Sequence, residues 1–222
     1  MTSPILLEEL VRPRLRGLFH LYGFVLFAAL GPVLVATAPG WRERLAAIVF
    51  CGCLLLSFGL SALYHRVSWQ PTARLLMRRL DHAGVFALIA GSYVPYGLLV
   101  LVGAWRFSVL SVVGLGAIAG IVLRVVWAEA PTWMSAVIAI ALGWVALVVL
   151  PQVVTAIGWP AVALLLAGGA LYTLGAVAYA ARRPNPLPAV FGYHEIFHLL
   201  TVFAAACHFC AIALYLLPGN TG

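Results

Sequence analysis

Seven apolar runs of about twenty residues each, parted by short breaks, constrain this chain more than any other feature of it. They are Gly17 to Val35, Leu45 to His65, Leu80 to Leu101, Phe107 to Trp127, Trp133 to Leu150, Pro160 to Ala181 and Ala189 to Leu217. Each is close to the ~20 residues that a helix needs to cross a bilayer. Within lipid every backbone N–H and C=O must be bonded inside its own segment, which selects the α-helix. Only 9% of residues are charged and the mean hydropathy is +1.09, whereas a soluble domain carries about 25% charged residues. The expected fold is an all-α integral membrane protein. It is a single seven-transmembrane helix bundle over residues 1–222, with residues 1–16 as a cytoplasmic lead in which Pro4 to Val11 could form an interfacial turn.

The breaks support this division. They carry Pro, Gly, Trp and Arg, as in Pro39-Gly40-Trp41-Arg42, Gly103-Ala104-Trp105-Arg106, Gly158-Trp159-Pro160 and Arg182-Arg183-Pro184-Asn185-Pro186. These are helix breakers and interface anchors. The first run resembles a signal peptide, because Ala36-Thr37-Ala38 looks like a cleavage site. It is longer than the ~7–15 residues of a signal core, and it is read as a retained span.

All 13 basic residues are arginine, and the net charge is +7. Their dispersal through short connections reads as membrane topology, not as a nucleic-acid site. With the N-terminus inside, the inner segments hold ten of them: Arg12, Arg14, Arg16, Arg66, Arg74, Arg78, Arg79, Arg124, Arg182 and Arg183. The outer segments hold Arg42, Arg44 and Arg106. Ten against three places the N-terminus inside and the C-terminus outside, in the cell (inner) membrane. Cys51, Cys53, Cys207 and Cys210 all fall within apolar runs and are read as small packing residues. Gly116 and Gly120 are read as an internal packing pair.

Ionisable side chains at membrane depth are costly and mark functional sites by default. Tyr193 to Cys210, YHEIFHLLTVFAAACHFC, holds three histidines and a glutamate. At about 100° per residue, His198 lies roughly 40° from His194 and His208 roughly −40° from it, all on one stripe. His194 and His198 are one turn apart and can share a metal ion. His208 is roughly 15 Å further along the axis and cannot join them, though it can line the same cavity. The second run ends at His65 and the third opens with Asp81-His82, so these residues reach the same depth from other segments. Ser57, Ser61 and His65 share a face at i, i+4, i+8. His20, at the inner end of the first run, is a looser candidate.

Three neutral imidazoles with one open position form the ligand set of a catalytic zinc site; imidazole also suits iron, copper and nickel. Asp81 beside such an ion could orient a water or take its proton. It could instead pair with Arg78 or Arg79, or cap a helix. Ser61 or Tyr64 could hold a substrate oxygen. Taken literally, His194-Glu195-Ile196-Phe197-His198 is HExxH, in which Glu195 would be the general base of a metalloprotease.

Three elements in order carry a more specific likeness. They are Ser61-x3-His65, then Leu80-Asp81-His82-Ala83-Gly84 leading to Gly91-Ser92-Tyr93-Val94-Pro95, then His194-Glu195-Ile196-Phe197-His198 followed by His208-Phe209. Over nearly the whole chain this resembles the hemolysin III family, the bacterial branch of the progestin and adiponectin receptor superfamily. The resemblance implies a seven-helix bundle with an inside N-terminus. It also implies zinc on His65, His194 and His198, with Asp81 and Ser61 beside the metal. Eukaryotic relatives are thought to hydrolyse lipid amides such as ceramide, and bacterial members are linked to membrane lipid homeostasis. Glu195 departs from the receptor branch, where an uncharged polar residue is expected. The expected function is intramembrane, zinc-dependent hydrolysis of a lipid amide or ester. Asp81 and Ser61 are its catalytic residues, and Tyr64, His20, His208 and Glu195 lie around them. Its partners are membrane lipids and a fatty-acyl substrate. The rival readings are a zinc-binding sensor without turnover and the HExxH protease; the oligomeric state stays open.

Overall fold

A computed structural model describes residues 13–127 and 129–218. The turn expected over Pro4 to Val11, and Arg12, fall outside the described residues. Seven α-helices are present among these residues, and no strand beyond one isolated bridge between Leu187 and Phe191. They are α1 (Leu18–Thr37), α2 (Trp41–Arg66), α3 (Pro71–Leu99), α4 (Gly103–Val126), α5 (Thr132–Trp144), α6 (Leu150–Ala181) and α7 (Tyr193–Ala211). A tight 3-10 turn, Val145–Val149, links α5 to α6, and a wider π-type turn, Ile212–Leu216, extends α7.

Six stretches are long and apolar enough to cross a membrane, one fewer than the runs in the sequence. The difference lies in Thr132–Ala181, which is a single apolar stretch of 50 residues. As one straight rod it would be roughly 75 Å long at 1.5 Å per residue, more than twice a ~30 Å hydrocarbon core. It is not straight. Gly158 adopts φ 75 and ψ 168, a left-handed conformation open to glycine, and Pro160 follows. Trp144 then donates from Nε1 to Thr173 Oγ1 at 3.0 Å. Residues almost equally far from Gly158 on either side thus meet, so the chain doubles back there.

A second difference is the start of α3. The sequence reading opens it at Leu80, but the helix begins at Pro71, with proline in the first turn, where its missing N–H costs nothing. Arg74, Arg78 and Arg79 therefore ride on helical turns instead of a loop. Asp81 sits ten residues into the helix and is no cap.

The packing is that of a protein in lipid. Large apolar side chains such as Val25, Val33, Phe107 and Leu115 face outwards, a surface that would drive association in water. Trp41, Trp105, Trp133 and Trp159 stand exposed at or beside helix ends or breaks, where amphipathic rings suit the membrane interface. The glycine pair on α4 faces inwards: a Cβ on Gly116 would meet Leu142 at 2.4 Å, and one on Gly120 would meet Phe86 at 2.4 Å. All four cysteines are free. Cys53 fills space against Gly91, whose Cβ would lie 2.5 Å from its sulfur.

A candidate metal centre between two hollows

Helices α2, α3 and α7 bring their polar residues to one end of the bundle. On α2, Ser57, Ser61 and His65 are 4%, 2% and 6% exposed, as one inward stripe requires. On α7, the first turn is fixed from outside the helix. Backbone N–H groups of Arg14 and Leu15 donate to the carbonyls of Ala189 and Val190 at 3.1 and 3.3 Å. That seats Arg16 over the start of α7, where its Nε donates to Glu195 Oε1. The other oxygen, Glu195 Oε2, accepts from the Gly192 N–H at 2.8 Å, so the carboxylate caps the helix. Both oxygens of Glu195 are thus occupied, and the side chain is fully buried.

His65, His194 and His198 form one group, with a nitrogen from each lying within 4.8 Å of the others. His194 Nε2 and His65 Nε2 are 3.2 Å apart. A tetrahedral ion with bonds of ~2.0–2.1 Å holds neighbouring nitrogens roughly 3.3 Å apart, so this pair is already at ligand spacing. Buried His198 Nδ1 has no hydrogen-bond partner, an unusual state for a buried polar atom. The donor set and its spacing fit a divalent ion that accepts imidazole, and zinc is the leading member of that class.

Around the group, the other candidates divide. Asp81 Oδ2 lies 3.6 Å from His65 Nε2, and the described residues include no salt bridge from it to Arg78 or Arg79. Ser61 is buried and lines the same cavity as Asp81. His20 stacks flat on His198, with ring centroids 3.7 Å apart and planes 7° apart, so it buttresses that ring. Tyr64 does not join Ser61. Its ring lies beside His65, at 4.5 Å between centroids, under the Arg74 guanidinium. His208 is remote from the group. Its ring rests against Gly168, where a Cβ would be 2.4 Å away, and edge-on to Tyr172.

Two hollows meet at the imidazoles. The larger, about 220 Å³, is mainly apolar and runs from His20, Ser61 and Asp81 to Tyr96, Leu101 and Val149 near the opposite end of the bundle. The smaller, about 80 Å³, opens at the near end beside Tyr64 and several arginines. His198 lines only the larger and His65 only the smaller, while Asp81 and His194 line both. The imidazole group is the partition between them.

One buried residue escaped the sequence reading, which counted Arg124 only as a topological charge. It is 1% exposed. Its Nη1 donates to the Ala130 carbonyl at 2.8 Å, and its Nη2 meets His82 Nδ1 at 2.7 Å. His82 also lies 3.5 Å from the Tyr179 hydroxyl. A basic residue at the end of an apolar run looks the same in sequence whether it points to water or folds back inwards.

Comparison with known proteins bears on this arrangement. Residues 9–209 match the family model described as Haemolysin-III related. Hemolysin-3 of Bacillus cereus is 29% identical over 187 residues, covering 84% of this chain and 82% of that protein. The Hemolysin-3 homolog of Bacillus subtilis (strain 168) is 26% identical over 167 residues, 75% of each chain. The adiponectin receptor protein of Drosophila melanogaster is 27% identical over 234 aligned positions, covering 87% of this chain and 48% of the receptor. With six apolar helices and a match over most of its length, this chain is a multi-pass membrane protein, and it belongs to the Haemolysin-III related family.

Proposed function

We propose that the protein is an intramembrane, zinc-dependent hydrolase of a lipid amide or ester. In this reading the chain crosses the cell (inner) membrane seven times, with its N-terminus and the histidine group on the cytoplasmic side. The break at Gly158 and the arginine bias support that topology. The observation that carries the chemistry is a cluster of three imidazoles, two of which, His194 and His198, line a long apolar cavity. A hollow of that shape suits an acyl chain, with its polar end at His194 and His198.

His65, His194 and His198 would hold the ion, which supplies Lewis acidity to a carbonyl oxygen and acidity to a water. Asp81, shared by both hollows, accepts the proton of the attacking water at a carboxylate oxygen. It returns the proton to the leaving nitrogen or oxygen as the C–N or C–O bond breaks. Ser61 Oγ, buried in the same cavity as Asp81, donates to the carbonyl oxygen. Glu195 is a poor general base, because Arg16 and the Gly192 N–H engage both of its oxygens. That observation disfavours the metalloprotease reading. A structural zinc would usually take four protein ligands, and the group found among the described residues has three.

The test uses purified protein, its metal counted by elemental analysis, and a panel of lipid amides and esters assayed for released fatty acid. His194→Ala and His198→Ala should lose the metal, and His208→Ala should keep it. Asp81→Asn should keep the metal and lower turnover at least 100-fold, within the ~10²–10⁴ typical of a positioned acid–base group. Glu195→Gln should lower stability more than turnover. Zinc-loaded protein that releases no fatty acid from any substrate would leave the sensor reading in its place.

A further inference from the structure

The smaller hollow has a chemistry that hydrolysis does not use. Arg16, Arg74, Arg78 and Arg182 all line it. They come from three separate places: the segment before α1, the first turns of α3, and the end of α6. Among the described residues Asp81 is the one acidic side chain lining it. Arg16 is engaged by Glu195. Neither Arg78 nor Arg182 has a carboxylate partner among the described residues, and Arg78 is half-buried. A topological role needs arginines near the inner face; it does not need them to converge on a space of about 80 Å³.

We infer that this hollow is a binding vestibule for a phosphate group, the head of an anionic lipid whose chain enters the larger cavity. Guanidinium forks match phosphate oxygens two at a time. The number of them suits a doubly charged group better than a single carboxylate. The hollow also shares Asp81, His82, Thr132, Tyr179 and His194 with the larger cavity. The two hollows abut at these residues, so a lipid with its head among the arginines would direct its chain past them into the larger cavity. The chain placement rests on the hydrolase reading; the phosphate site does not, because it is a matter of binding alone.

The experiment measures equilibrium binding to full-length protein in nanodiscs of zwitterionic lipid, without turnover. The probes are a lysophosphatidic acid and the monoacylglycerol with the same chain. The phosphate lipid should bind at least tenfold more tightly than its neutral match. Arg78→Gln and Arg182→Gln should each weaken the phosphate lipid about tenfold, which is about 1.4 kcal/mol, and leave the neutral lipid unchanged. Arg182 is exposed, so its variant should fold. Arg78→Lys keeps the charge but not the fork and should fall between. Arg42→Gln and Arg44→Gln remove equal charge from the opposite end and should change nothing. Displacement of the lipid by millimolar inorganic phosphate would support a site for phosphate itself. Retention of the lipid under the same challenge would support the lipid as its source. Equal affinity for the two lipids, or equal losses from Arg42→Gln and Arg78→Gln, would overturn the proposal. Neither result depends on whether the protein hydrolyses anything.

Discussion

Gly17 touches the candidate metal centre without offering it an atom. Its φ is 78, and a Cβ built on it would lie 2.5 Å from His65 Cβ. Gly17→Ala therefore imposes two costs. The left-handed backbone costs an alanine roughly 1–2 kcal/mol. The new methyl also needs about 1 Å more room to reach the ~3.5–4.0 Å of carbon–carbon contact. His65 Cβ cannot swing aside as a side-chain tip can, so the imidazole must shift with it. Displacing a group that orients a ligand costs about 10–100-fold in metal affinity, and a similar loss is expected here. Gly103 is the control, with φ 57 and nothing within 4 Å of its Cβ. Gly103→Ala carries the backbone cost alone. The assay is zinc retention against a graded chelator, read beside the melting temperature of both variants. Gly103→Ala should lose stability and keep wild-type affinity; Gly17→Ala should lose both. If Gly17→Ala holds zinc as tightly as Gly103→Ala, the contact with His65 does not set the geometry of the centre.

Two further outcomes test the bundle. The Tyr93 hydroxyl lies 2.8 and 2.7 Å from the carbonyls of Leu142 and Gly143 and accepts from the Ala146 N–H at 3.0 Å, which staples α3 to the turn after α5. Tyr93→Phe should cost about 1–3 kcal/mol in reversible unfolding while leaving zinc bound. On α4, Gly120→Ala would drive a methyl into the Phe86 ring and should cost about 1–3 kcal/mol. Gly114→Ala meets open space and should be neutral or stabilising by up to ~1 kcal/mol.

Hydropathy alone made most of the helices legible, because a bilayer leaves a twenty-residue apolar run little choice. It failed where polarity and helix coincide. The first turns of α3 carry Arg74, Arg78 and Arg79, so an apolarity criterion starts the helix at Leu80. The meeting of His65, His194 and His198 could be anticipated because depth can be counted along each helix, and a shared depth is a necessary condition for contact. Rotation about the helix axis is not fixed by depth, which is why the sequence offers Tyr64 as an alternative to Ser61 although the two line different hollows. The role of Glu195 was hidden for a different reason. Its partner Arg16 lies 179 positions away, and no local pattern links them. The HExxH spacing suggested chemistry where the fold uses a carboxylate to fasten a helix end.

That fastening has a consequence for biogenesis. Arg14, Leu15 and Arg16 precede α1, but what they grip, the Ala189 and Val190 carbonyls and the Glu195 carboxylate, lies just before and within the first turn of α7. The histidine group therefore cannot close until α7 has been made and inserted, and any ion would have to enter after that step.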